Sequence, residues 1–197
     1  MKNTKRSPAT KILIAAGSLL LISAMTMLVC WQWGISASQK KAQSYLESIR
    51  SLIPEPQGAV LEEKLDNEMP ALSLDGKDFI GIIEMPSHNL SLPVCAEWGN
   101  ESKYPCKFSG SIYDKSLQIG ATSQKGQYDF YREISVGDAV LYTDMSGKRY
   151  SFTVTDLKYR KHADQSALTE KPSDLTLFIK NIYDFEYLIV FCTVSNS

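Results

Sequence analysis

The sequence predicts a mainly β protein, a small closed β-barrel of about eight strands with short helices, preceded by one N-terminal transmembrane helix. Three observations carry this reading. Short apolar runs recur at close spacing from Phe79 onward, separated by turn chemistry. Helical periodicity is confined to the residues before Gln57. Near the start, Ile12 to Ile35 carry no charge and are rich in aliphatic side chains. A length of 197 residues with 44% hydrophobic and 22% charged residues accommodates one ordinary globular domain plus an anchor, and excludes a disordered or collagen-like chain.

The first element is the anchor. Ile12 to Ile35 is long enough, as a helix, to cross the hydrocarbon core, and Trp31 and Trp33 fall near its far end, where an interfacial belt belongs. Lys2, Lys5, Arg6 and Lys11 are the only charges in the first 38 residues, and no further Lys or Arg occurs until Lys40. This asymmetry predicts a single-pass protein of the cell membrane, with residues 1–11 in the cytoplasm and the body outside. A cleaved signal peptide, for which Ser36 and Ser38 supply small residues, would have a shorter apolar core, so an uncleaved anchor is expected. The body is mildly acidic, with 17 basic and 22 acidic groups, which gives no reason to expect nucleic acid as a partner.

Residues 36–76 come next. Ala42, Tyr45, Leu46, Ile49 and Leu52 recur at helical spacing among Lys40, Lys41, Glu47 and Arg50, which predicts a short amphipathic helix. It ends before Pro54 and Pro56, and the polar stretch through Gly76 is expected to be a linker that lets the domain stand off the membrane. Residues 77–197 form the barrel. Phe79 to Met85 and Leu90 to Val94 flank the turn Pro86–Asn89, and Leu117 to Ala121 is a third run. Ala139 to Thr143 and Tyr150 to Val154 flank Asp144, Met145, Ser146 and Gly147, a hairpin. Leu175 to Ile179 and Tyr187 to Cys192 complete the set.

From Phe79 to the C-terminus these segments resemble the sortase family, the membrane-anchored cysteine transpeptidases of bacteria, mainly Gram-positive ones. FIGIIEMPSHNLSLPV looks like the opening strand pair of their barrels, and YPCKFSGSIY like the segment before the histidine strand. LQIGATSQKGQYDFYREISVGD, Leu117 to Asp138, has the length and Gly-Asp ending of the histidine segment. DLTLFIKNIYDFEYLIVFC, Asp174 to Cys192, is similar to the pattern D-L-T-L-F-T-C, a turn, then V-R-C. The order and spacing of the four segments carry the resemblance.

The resemblance implies a chemistry. In the family a cysteine thiolate attacks the carbonyl of a sorting signal such as Leu-Pro-x-Thr-Gly, a histidine protonates the departing amine, and an arginine holds the substrate or the oxyanion. Carried over by position, the histidine falls on Thr122, with Ser123 after it, the cysteine on Lys180, and the arginine on Phe191. Threonine does not shuttle a proton near neutral pH, lysine forms no thioester, and phenylalanine gives an oxyanion neither charge nor donor. The expectation is therefore a sortase-like pseudoenzyme with no standard catalytic residues, whose groove, formed by Thr122, Ser123, Lys180, Phe191 and His162, binds instead of cutting. The connection KYRKHADQSALTEKPS, Lys158 to Ser173, corresponds to the loop that helps read the signal in the family, and carries Lys158, Arg160, Lys161 and His162 at one end. Expected partners are the membrane, a sorting-signal peptide or pilin-like subunit, and a catalytic sortase.

The competing reading is an active cysteine transpeptidase or peptidase that uses Cys192. YLIVFCT can be slid onto the family's L-V-T-C-T, but only five residues then remain after the cysteine and DLTLF loses its counterpart. Side chains alternate along a strand, so a groove-facing Phe191 turns Cys192 away. Lys180 beside Thr122 or Ser123 also brings together the ingredients of a Ser/Lys dyad, without a visible oxyanion hole. His88 and His162 are expected at the surface, and Glu101 and Asp114 are expected to be solvated. Cys95, Cys106 and Cys192 leave one thiol over if two pair, with Cys95 and Cys106 the easier pair by separation. No Cys/His spacing suggests zinc, and no metal or cofactor is expected.

Overall fold

A computed structural model describes residues 8–59, 68–99, 101, 103–162 and 164–195. The basic residues Lys2, Lys5 and Arg6 lie outside the described residues. The chain forms two compact units, Met1–Ser38 and Gln39–Ser197. Helix α1, Pro8–Leu52, begins in the first unit and ends in the second, so the apolar and amphipathic stretches are parts of one helix of 45 residues. Nothing between Ile35 and Lys40 interrupts the backbone ladder, because no proline occurs there. In the first unit Leu19, Leu20, Leu21, Ile22 and Met25 expose their side chains, and this helix is long and apolar enough to cross a membrane.

In the second unit, Ala42, Tyr45, Leu46 and Ile49 are buried, as their spacing predicts, whereas Leu52 is exposed at the helix end. The Tyr45 ring lies 5.1 Å from that of Phe79 and 5.9 Å from that of Tyr104. Ten strands follow. These are β1 (Gln57–Gly58), β2 (Leu72–Leu74), β3 (Lys77–Met85), β4 (Leu90–Cys95), β5 (Cys106–Ser109), β6 (Leu117–Thr122), β7 (Ala139–Asp144), β8 (Lys148–Arg160), β9 (Leu175–Lys180) and β10 (Tyr187–Val194). Eight of them close into a ring in the order β3-β7-β8-β10-β9-β6-β5-β4 and back to β3. The pairs β4/β5 and β6/β9 are parallel, and the other ring pairs are antiparallel. Closure removes the unpaired edges that an open sheet of this size would present.

Every apolar run named in the sequence is a strand, most of them one or two residues longer, and β8 runs on to Arg160. The eighth ring strand, β5, is short, half-buried and shifted in register between Lys107 and Ser109, so it carries no alternating signal. The stretch through Gly76 differs from a plain linker. Leu72–Leu74 pairs with Lys77–Phe79, and Gln57–Gly58 lies parallel to β8. The predicted hairpin turn is built on Asp144, whose buried carboxylate accepts from the Ser146 and Lys148 amides at 2.9 and 3.0 Å and from Tyr113 Oη at 3.0 Å. The short helix α2 (Gln165–Leu168) is capped by Asp164, which accepts from the Ala167 amide at 2.9 Å.

Candidate functional site

Strands β6, β9 and β10 lie side by side, and their alternating side chains sort the predicted residues onto two faces. Leu117, Ile119 and Ala121 of β6 and Leu175, Leu177 and Ile179 of β9 point into the barrel core, as do Leu188, Val190 and Cys192 of β10. Gly120, Thr122, Phe178, Lys180, Ile189 and Phe191 therefore belong to the outer face.

Thr122 and Lys180 are direct partners across the parallel β6/β9 pair. The amide of Ser123 donates to the Lys180 carbonyl at 2.9 Å, so all three residues meet where the two strands end. Ser123 Oγ accepts from the Ile182 amide at 3.2 Å and donates to Asn181 Oδ1 at 3.4 Å, while Asn181 Nδ2 donates to Tyr131 Oη at 2.7 Å. That hydroxyl is spent on holding the β9–β10 turn. Lys180 Nζ sits 5.5 Å from the centre of the Phe185 ring, a cation–π contact. Thr122 Oγ1 is buried and has no hydrogen-bond partner; among the described residues it shares that condition with Glu101 Oε2 and Tyr128 Oη. Its backbone is held on both sides, with its amide donating to Gln127 Oε1 at 3.3 Å and its carbonyl accepting from the Tyr128 amide at 3.2 Å.

Phe191 is on the same face but not at the same place. It pairs with Thr176, four residues before Lys180, and is fully buried in a separate apolar cluster with Leu168, Phe178 and Ile189. The register shifts between Phe191 and Cys192, and Cys192 lies inside the barrel, 0% exposed. Burial pushes its thiol far above the ordinary range. It has neither the access nor the thiolate that a nucleophile needs.

Between the Thr122 end and the Phe191 end, aromatic side chains fill the outer face. Trp98, from the loop after β4, packs on Phe108 and Phe178 with ring centroids 5.1 and 5.5 Å away, and Phe108 meets Phe178 at 5.3 Å. Gly120 lies beneath them, where any Cβ would overlap the Trp98 and Phe178 rings. The sequence reading missed this trio. The only signal was a glycine inside a strand run, the mark of a close approach by something else.

His162 follows the end of β8, whose Arg160 shares a cross-strand row with Tyr187, Lys180 and Thr122, so β10 and β9 lie between it and Thr122. It borders a surface depression with Arg160, Lys161 and Glu170. The basic character of its loop is largely cancelled, since Lys158 and Arg160 both pair with Glu170, and Lys171 lies 3.4 Å from Asp156. His88 departs from the expected surface role. Its ring stacks on Phe130 at 4.3 Å and Nε2 lies 3.1 Å from Asp138 Oδ2. Burial raises the Asp138 carboxyl, but the Ser135 amide and the His88 ring outweigh it and hold the group below the usual range. Asp114 is likewise structural, accepting from the Ser111 and Ser116 amides at 3.1 Å each.

No family model and no curated protein matches the sequence. Solved structures do. A pilus-related sortase C of Group B Streptococcus is 21% identical, with 84% of this chain and 91% of that one covered at a TM-score of 0.53. Sortase C-1 from Actinomyces oris is 17% identical, covering 83% of this chain and 99% of its own at 0.52. Sortase A from Corynebacterium diphtheriae is 16% identical, covering 83% and 85% at 0.52. The closed eight-stranded ring, with its parallel β6/β9 pair, is thus a sortase fold.

Proposed function

We propose that this chain is a membrane-anchored, extracytoplasmic sortase-like protein that has lost transpeptidation and acts by binding. The ligand classes that suit it are a sorting-signal peptide, a pilin-like subunit or a partner sortase. The observation that carries the reading is the Thr122–Lys180 pair. Position-by-position carry-over sets a histidine and a cysteine on those two positions, which are cross-strand neighbours here, and neither threonine nor lysine supplies their chemistry. Phe191, the arginine's counterpart, is sealed under Leu168. The charge asymmetry around Ile12 to Ile35 supports an outside location for the barrel.

The test uses the full chain in detergent micelles with Leu-Pro-x-Thr-Gly peptides and an amine acceptor. Binding without cleavage and without a covalent adduct is the expected outcome. A thioester on Cys192 that disappears in Cys192→Ala would end the binding-only reading and restore an active peptidase.

A further inference from the structure

We infer that Cys95 and Cys106 are a disulfide-forming pair, and that their closure staples together the two roots of loop 96–105, which lays Trp98 over the outer face. This stands independently of the proposed function. Cys95 closes β4 and Cys106 opens β5, and the two are direct partners in the parallel bridge between those strands. The amide of Cys95 donates to the Pro105 carbonyl at 2.8 Å, which fixes that register. Neighbouring strands lie about 4.8 Å apart, inside the roughly 4.4–6.8 Å that a disulfide requires between Cα atoms. Paired residues also present their side chains to the same face, here the barrel core, where both thiols are buried.

The electrostatics agree with the geometry. A hydrogen bond from the Cys106 thiol, opposed by burial and assisted by the Glu97 amide and the Lys77 charge, draws the Cys95 thiol down to about 6. The thiolate is the attacking species in disulfide exchange. The remaining cysteines are poor competitors. Cys30 is in the N-terminal unit, and Cys192 is on β10, separated from β5 by β9 and β6, with its thiol held protonated.

The oxidant is an external disulfide, of the kind a thiol–disulfide oxidoreductase or oxidised glutathione presents. Cys95 thiolate attacks one of its sulfurs, a Cys95 mixed disulfide forms, and one thiolate leaves. Cys106 then gives up its proton, its sulfur displaces the second thiolate, and the Cys95–Cys106 bond closes. Two electrons pass from the cysteine pair to the oxidant, which departs as two thiols after protonation. Because both sulfurs are buried, exchange proceeds as β4 and β5 separate at the loop, or before the barrel closes during folding.

The experiment equilibrates the full chain, in detergent micelles, in glutathione buffers of graded poise, including one cycle of unfolding and refolding. It then blocks free thiols by alkylation and maps peptides without reduction. A single cross-linked species joining Cys95 to Cys106, with Cys30 and Cys192 alkylated, is expected. The oxidised chain should then show an unfolding equilibrium shifted on the order of a hundredfold toward the folded state, as closing a loop of this length implies. Thiols at 95 and 106 that stay alkylatable in the most oxidising buffer would overturn the inference, as would pairing of either with Cys192. A cross-link that leaves the unfolding equilibrium unmoved would refute the staple.

Discussion

Lys180→Cys, made together with Cys30→Ser, sets two thiols on one hairpin in opposite surroundings. Position 180 is half-exposed at the end of β9, whereas Cys192 is 0% exposed inside the barrel. An accessible thiol of ordinary pKa is about one-tenth thiolate at pH 7.5. Cys192 reacts only when β10 opens, and opening core strands costs a large part of a global stability of about 5–15 kcal/mol, a factor of ~10³ or more. The introduced thiol should therefore react with iodoacetamide at least ~10³-fold faster, read residue by residue from labelled peptides in a mass spectrometer. Adding Thr122→His sets an imidazole directly across the β6/β9 pair. Its protonated form should lower the pH midpoint of labelling by about one to three units. If the thiol at 180 labels as slowly as Cys192, or if Thr122→His leaves the midpoint unmoved, the two positions do not share a cleft and the register argument is wrong.

Phe191→Arg should cost stability. Losing the buried ring costs about 1.5–3 kcal/mol and an unpaired buried guanidinium several more, against less than about 1.5 for Phe191→Leu. Urea unfolding measures both, and an arginine tolerated within about 1 kcal/mol would mean that Leu168 and Phe178 do not seal the position. Gly120→Ala forces a methyl group into the Trp98 and Phe178 rings. With Trp31 and Trp33 changed to Phe, the emission of Trp98 should shift to the red at a cost of about 1–3 kcal/mol, and an unshifted spectrum counts against the packing. The stability difference between wild type and Cys192→Ala should depend on pH. The buried thiol binds its proton more tightly when folded, so its contribution is constant below about pH 8.5 and declines above it by up to about 1.4 kcal/mol per unit. A difference that grows with pH would contradict the burial of Cys192.

The strands were legible because each lines the core with every second residue, and the hairpin at Asp144 to Gly147 because it needs particular turn chemistry. β5 was not, since four residues with a half-exposed face and a register shift leave no period to read. Which residues stand at the positions carried over from the resemblance could be read from the sequence. Their arrangement could not. That Phe191 is buried with Leu168 depends on α2 folding back over β10, and the Trp98–Phe108–Phe178 cluster joins two neighbouring segments to a strand far along the chain. His88 shows the same limit: its partner Asp138 is 50 residues away, so a histidine in a turn looked solvated while the fold half-buries it against Phe130.

A face occupied by the protein's own aromatic rings sets a condition on any ligand that lies along it. Trp98 is 45% exposed and, among the described residues, is the ring of the trio with the most open solvent beside it, so it is the one a bound peptide would displace. Displacement gives up two aromatic contacts of about 0.5–1.5 kcal/mol each, weakening the affinity by about 5- to 150-fold relative to an uncovered face. Trp98→Ala removes that cost without touching Thr122 or Lys180, so a Leu-Pro-x-Thr-Gly peptide should bind the variant more tightly by a factor in that range. Isothermal titration of the full chain in micelles measures it. Weaker binding to Trp98→Ala would make the indole part of the ligand's contact surface, and unchanged binding would move the ligand off this face, toward His162 and the loop that carries it.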